Sequence, residues 1–515
     1  MIMIKKLISV ILVATLAVAP VMAQGASASK TGSRPSEAQK FIDKLAAGPV
    51  FKGSHIGVLA VKVSGDTVAA INPFKRLMPA SNTKLISTGL AINELGPDFR
   101  FETKLAHSGY IREGVLYGDL YIVGGGDPTI ASADSIALPE EALMKKWVEI
   151  IGNAGIKKIN GMVVGDGRFF DGEFWPVSWQ YEDMGTYYGT GGRGLSFYRN
   201  TQDISVAAGA RVGDPITMTV DYPKTPWMTF YDESKTGEAG TGDDLFLYNT
   251  EFAPIAVMRG TFAVDRKPKT ENCSNLYPEL TCAWYLKEYL QNAGIPVAGG
   301  AGDIGPDGKV RNEPLPDKGL YDATPAQELT VIGSTFSPTV EQIARVTNWR
   351  SDNYYAETLY RMIGRTNEGS AAYAACCSAE YKALAKIGVS TDEVQIRDGS
   401  GLSREDYITP EFFCNFLKAM MSTRNYEAYM RTIGWPGHGM YEYRLAKEPK
   451  ALKERIRYKS GSIGGVLSYS GYVRPTSGKT EDTIVFSVIV NNCLASYDVL
   501  RPMLDRIVAL IAAEN

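Results

Sequence analysis

Apolar and polar positions change period several times along the chain, and the changes mark its elements. Residues 7–20 (LISVILVATLAVAP) form an apolar run behind Lys5 and Lys6. The run is shorter than the ~20 residues that a bilayer span needs, and Val21-Met22-Ala23 offers small residues where a signal peptidase reads. This predicts an export signal over 1–23, cleaved after Ala23. Residues 24–36 are small and polar and predict a flexible leader. Glu37 to Leu45 follows with helical spacing. HIGVLAVKV, a Gly-Asp turn and TVAAINP alternate as a β-hairpin would. Leu85, Ile86, Leu90, Ile92 and Leu95 then recur with helical spacing behind Pro79, and Gly96-Pro97 ends that helix.

From 98 to about 325 the texture changes. Short alternating runs such as VLYGDLYIV and MVVGD are broken by Gly, Pro and polar loops such as DESKTGEAGTGDD. From about 326 long helical patterns return: EQIARVTNWRSDNYYAETLYRMIG, GSAAYAACCSAEYKALAKIG and TPEFFCNFLKAMMST. RIRYKSGSIGGVLSYSGYVRP and TIVFSVIVNN alternate as two antiparallel strands, and YDVLRPMLDRIVALIAAEN closes with helical spacing. There is no internal repeat. The predicted architecture is α/β. N-terminal strands pair with C-terminal strands in one antiparallel sheet with helices on its faces. Residues 24–100 and 326–515 form this domain, interrupted by a β-rich insertion over 101–325.

Composition narrows the function. The 515 residues carry a formal net charge of −3, which argues against a dedicated nucleic-acid binder. The three histidines, His55, His107 and His438, form no HExxH pattern, so zinc-peptidase chemistry has no support. No CxxC pair points to structural zinc, and no metal or cofactor is expected. Cys273 and Cys282 enclose a short polar loop and predict a local disulfide, which an exported protein could form. The other four cysteines are expected to be buried thiols.

Three short motifs carry the chemistry. Ser81-Asn-Thr-Lys84 places a hydroxyl and an amine three residues apart, on one helix face. A serine in the first turn also sits where backbone N–H groups favour developing negative charge. That pairing suits a serine nucleophile with a lysine base. A second copy, Ser27 to Lys30, has no apolar helix behind it. Taken alone, Ser81 and Lys84 read as a capped helix with a solvated lysine sooner than as a catalytic pair. Ser351-Asp352-Asn353 is the one S-x-N in the sequence; its bland reading is a helix cap. Lys459-Ser460-Gly461 enters a strand, where a lysine could meet a carboxylate and a glycine would let substrate lie along the edge. Literal KTG triplets at 30–32 and 235–237 precede the S-x-N and lie in polar stretches.

In this order the motifs resemble the penicillin-recognising serine enzymes, S-x-x-K, S-x-N and K-T-G. The long stretch between Ser81 and Ser351 exceeds what a compact β-lactamase allows. GDLYIVGGGDPTI (118–130), DGSGLSR (398–404) and LSYSGYV (467–473) are similar to the D-alanyl-D-alanine carboxypeptidase/endopeptidase family, the low-molecular-mass class C penicillin-binding proteins. The resemblance spans about 37 to 510. Ser460 departs from the family's usual threonine but keeps the hydroxyl.

The resemblance implies a periplasmic enzyme that cleaves peptidoglycan stem peptides and cross-links and is inhibited by β-lactam antibiotics. It implies that Ser81 forms the acyl-enzyme and Lys84 takes its proton. Ser351 passes a proton to the leaving amine, and Asn353 holds Lys84 and the substrate amide. Lys459, Ser460 and Gly461 receive the terminal carboxylate, with backbone N–H groups of Ser81 and Ser462 as the oxyanion hole. Glu182, or Asp183 one residue on, and Arg404 are the family-based candidates for holding the free end of a diamino-acid side chain, with Trp179 as a stacking surface. The competing readings are a β-lactamase-like hydrolase on the same scaffold, a binding protein with a dead site, and a Ser-His-Asp hydrolase. The last lacks a G-x-S-x-G elbow.

Overall fold

Two strands from the start of the chain and three from its end make one antiparallel sheet. Its order is Ile456–Ile463, Val466–Val473, Ile484–Asn491, His55–Lys62, Thr67–Ile71. The joint is long: His55–Lys62 pairs with Ile484–Asn491 in unbroken register from His55 opposite Asn491 to Lys62 opposite Ile484. Strand periodicity explains why this sheet is covered twice. Along Ile484–Asn491, Val485 and Ile489 join a core with the helices Thr83–Leu95, Asn353–Glu368 and Pro410–Met421. Ile484, Phe486, Val488 and Val490 point the other way, onto Glu37–Ala46 and Tyr497–Ala513. A strand buried on both faces reads as a continuous apolar run, as TIVFSVIVNN does.

The computed structural model describes residues 34–308, 310–312 and 328–515. The expected export signal, the leader and the S-x-x-K copy at Ser27 lie outside the described residues. Ser36–Asn515 form one compact unit. Between the two halves of the main sheet the chain builds a six-stranded sheet from Glu102–His107, Leu120–Val123, Val163–Asp166, Ala301–Ile304, Val310–Asn312 and Thr330–Phe336. The returning strand Thr330–Phe336 pairs with Glu102–His107, so the chain leaves this region after Phe336. Two smaller sheets, built around Thr201–Ala207 and Ala253–Ala263, share a separate core. Among the described residues, no helix is long and apolar enough to cross a membrane.

Two expectations need correction. The predicted Cys273–Cys282 disulfide is absent, and all six cysteines are free thiols. Cys273 sits on the strand Lys269–Ser274 in the small-sheet core, whereas Cys282 faces another core from the helix Pro278–Asn292. The pattern from Glu341 to Gly364 also reads as one helix but is two, Val340–Arg350 and Asn353–Glu368. Ser351 breaks it with left-handed backbone, φ 58°, and the Asp352 side chain caps the second helix at the Tyr355 N–H. The cap satisfies a donor that a continuous helix would have satisfied internally.

Candidate active site

A 3-10 turn, Ala80–Asn82, leads straight into the helix Thr83–Leu95 and carries Ser81. The turn is fastened to the sheet: Ser468 Oγ donates to the Pro79 carbonyl at 2.5 Å, and Asn82 Nδ2 to Ser470 Oγ at 2.8 Å. One turn on, Lys84 is fully buried. Its Nζ lies 2.9 Å from Ser81 Oγ, 2.6 Å from Asn353 Oδ1 and 2.7 Å from the Ser400 carbonyl. The last two atoms can only accept hydrogen bonds. They engage two N–H groups and leave the amine's remaining position facing the Ser81 hydroxyl.

The helix break at Ser351 aims the second motif at the same point. Ser351 Oγ accepts from Lys459 Nζ at 2.8 Å, and Asn353 Nδ2 donates to the Tyr188 carbonyl at 2.9 Å. Asp352 points away and pairs with Arg199, which also reaches Asp134 at 3.1 Å. Asp134 in turn holds Arg350 and the Tyr355 hydroxyl. Tyr198, Arg199 and Asn200 all have positive φ, a costly backbone that persists where surrounding contacts fix it. Arg199 thus clamps the Ser351–Asn353 segment from the intervening part of the chain.

Lys459 stands on the outer strand of the main sheet, Ile456–Ile463. The N–H of Tyr458 donates to the Gly434 carbonyl at 2.9 Å and that of Ser460 to the Tyr441 hydroxyl at 3.1 Å. Alternate strand residues share a direction. The Ser462 N–H therefore also points off the sheet edge, beside Ser81. Gly461 makes the close approach possible: a Cβ there would lie 2.8 Å from the Ser81 nitrogen and 2.7 Å from the Pro79 carbonyl.

Both amines are depressed by their surroundings. Burial lowers Lys84 from 10.5 to about 8, against the upward pull of Asp398, Glu357, Asp352 and Asp406. Burial and the charge on Lys84 together push Lys459 well below its ordinary value. Two buried amines this close share their charge, so whatever favours a proton on one frees the other.

A cleft of about 780 Å³ opens over these groups, with Ser81, Ser351, Asn353, Ser460 and Ser462 in its lining. Glu182 is exposed on its wall, and Arg404 lines it while its Nη1 donates to the Gly464 carbonyl at 3.2 Å. Asp183 lines it too, with a buried oxygen that has no partner and a pKa raised chiefly by burial. Trp179 does not line the cleft. It is only 4% exposed, and its Nε1 donates to Asp398 Oδ2 at 2.7 Å, so the expected stacking surface is a buried brace. Asp398 also accepts from the Gly401 and Ser403 N–H groups at 2.6 and 2.7 Å. That turn presents the Ser400 carbonyl to Lys84. Sequence reasoning missed Arg199, Asp134, Ser400 and Tyr441. DGSG signalled a tight turn at Ser400, but no local pattern marks the other three.

An antiparallel sheet with helices on both faces, and a serine–lysine pair at its outer strand, defines the penicillin-binding and β-lactamase-like class of folds. The structure of penicillin-binding protein 4 (DacB) from Haemophilus influenzae matches with a TM-score of 0.74 at 21% identity, covering 90% of this chain and 98% of that one. The chain belongs to the D-Ala-D-Ala carboxypeptidase 3 (S13) family, whose profile matches residues 38–514. It is 26% identical over 494 residues to a D-alanyl-D-alanine carboxypeptidase of Actinomadura sp., covering 93% of this chain and 86% of the relative. It is 22% identical over 433 residues to the D-alanyl-D-alanine carboxypeptidase DacB of Haemophilus influenzae, covering 83% and 84%.

Proposed function

We propose that this chain is a serine-type D-alanyl-D-alanine peptidase, acting on peptidoglycan stem peptides and their cross-links through an acyl-enzyme on Ser81. The observation that carries this reading is the contact of Lys84 Nζ with Ser81 Oγ, Asn353 Oδ1 and the Ser400 carbonyl. The catalytic domain is built from the chain before about residue 100 and after Phe336, and the region between them, closed by the strand Thr330–Phe336, is an inserted module.

The substrate's terminal carboxylate lies against Ser460, Gly461 and Lys459. Lys84 acts in its unprotonated form, which burial brings within reach of neutral pH. Lys84 takes the Ser81 hydroxyl proton as Oγ bonds to the carbonyl carbon. The Ser81 and Ser462 N–H groups receive the oxyanion; one such donor typically contributes ~2.7–4 kcal/mol to the barrier. The C–N bond then breaks, and Ser351, held by Lys459, passes the proton that Lys84 took on to the leaving amine, which frees Lys84 for the second step. Water hydrolyses the ester by the reverse proton path and frees Ser81. Arg404 and Glu182, or its neighbour Asp183, hold the free end of the substrate's diamino-acid side chain. A penicillin acylates Ser81 in the same way, with its carboxylate at Ser460, and so inhibits. The enzyme works in the periplasm, delivered by the export signal over 1–23.

Labelled penicillin tests the assignment: a covalent adduct located on Ser81 by mass, absent in Ser81→Ala, together with release of D-alanine from muropeptides. A Ser81→Ala protein that still labels would refute it. Rapid penicillin turnover without D-alanine release would support the β-lactamase-like alternative.

A further inference from the structure

An aromatic face runs out from the catalytic cleft, and the proposed chemistry leaves it unused. Two segments build it. Residues 181–188 carry Tyr181 and Tyr187, 63% and 55% exposed. The strand Asp243–Thr250 carries Phe246 and Tyr248 on one side, with Leu247 buried on the other. Tyr181 and Tyr248 stack with ring centroids 5.2 Å apart and planes at 22°. Phe246 and Tyr187 also line the cleft, so the face is continuous with it. Tyr187 packs edge-on against Tyr188, whose carbonyl holds Asn353.

The face is built into the fold. Gly185 approaches the Leu247 carbonyl so closely that a Cβ there would overlap it, and the Ser274 N–H donates to the Gly185 carbonyl at 2.9 Å. The charge beside it is already paired: Arg259 lies 5.8 Å over the Tyr248 ring and is bonded to Glu233 at 2.8 Å. Acidic Glu182 stands next to Tyr181, which disfavours an anionic membrane surface. A protein seated here would cover the mouth of the cleft. A pyranose ring meets the chemistry: one apolar C–H face lies on a tyrosine ring while its hydroxyls stay in water. Exposed aromatic surface at a cleft rim is where such contacts form.

We propose that Tyr181 and Tyr248, with Phe246 and Tyr187, bind a sugar ring of the glycan strand from which the substrate's peptide hangs. This rests on the function proposed above. The peptide's leaving end is committed to Ser460, and Tyr187 and Phe246 line the same cleft, so the sugar-linked amino end exits toward these segments.

The test uses the full chain and two substrates, a stem pentapeptide and the same peptide on its N-acetylated disaccharide. Wild type should show a KM for the glycan-bearing substrate about tenfold lower, the scale of one aromatic contact. The Tyr181→Ala/Tyr248→Ala double variant should lose that preference while keeping wild-type kcat/KM on the free peptide and wild-type penicillin labelling. Tyr181→Phe, which keeps the ring, should keep the preference. If the double variant fails to label, Tyr181→Ala alone carries the same test. Equal KM values for the two substrates in wild type, or an undiminished preference in the alanine variants, would overturn the inference. No D-alanine release and no penicillin adduct in wild type would instead overturn the functional reading, and this inference with it.

Discussion

Arginine at position 84 would keep a cation beside Ser81 and abolish the base. A guanidinium stays charged at any working pH, whereas burial lowers the Lys84 amine from 10.5 to about 8. A base must be unprotonated, so the sign is fixed: acylation rises with pH up to about 8 and levels above it. At pH 7 the depression raises the free-base fraction about 300-fold, equivalent to about 3 kcal/mol of barrier. The assay is the second-order rate constant for acylation by a fluorescent penicillin across the neutral and mildly alkaline range, which reports the free enzyme's ionisations. Wild type should gain roughly one decade per pH unit on the acid side. Lys84→Arg should fall by ~10²–10⁴ on the alkaline plateau, the usual contribution of a general base, and lose the pH dependence. A profile that stays flat between acid and neutral pH, or an arginine variant close to wild type, would refute the role given to Lys84.

Two further outcomes follow from buried charges. Arg199→Ala leaves Asp352 and Asp134 without their shared partner, a loss on the order of 3–5 kcal/mol for a buried pair; melting temperature should fall. Penicillin acylation should slow through its rate rather than its affinity, with Arg199→Lys restoring only part, and a folded alanine variant acylating normally would show that the clamp does not position Ser351. Glu357 has its pKa raised from 4.5 to about 8, first by burial and then by Asp398. An acid raised on folding contributes stability that is complete below 4.5 and lost as pH rises through about 8. Glu357→Gln mimics the protonated form, so thermal melts at acid and at mildly alkaline pH should differ less in the variant than in wild type; an unchanged difference would count against this.

Local chemistry made part of the site legible. Ser81 and Lys84 meet because a three-residue step on a helix brings two side chains to one face, and that relation needs nothing from the rest of the chain. The main sheet was legible for a similar reason: alternation and apolar runs at 55–71 and 456–491 mark strands whose double burial requires helices on both sides. The helix break at Ser351 was half legible: Ser351-Asp352-Asn353 reads as a cap, but apolar spacing continues through it, and only the contacts of Asp352 and Ser351 decide the left-handed turn. Trp179 reads as a stacking surface in a Gly-rich aromatic stretch, yet its neighbour is Asp398, far along the chain. Cys273 and Cys282 are close in sequence but face different cores.

The sequence by itself determined which elements form, which residue types carry the chemistry, and the family to which the chain belongs. Tertiary structure alone decided how the three motifs share one amine-centred cluster and which groups hold them. Arg199 and Asp134 act on Asp352, and Tyr441 on Ser460, only because the closing sheet and the intervening region bring them within hydrogen-bond reach. The depressed pKa of each lysine has the same origin, since it measures burial and neighbouring charge, neither of which is a property of a residue's place in the chain.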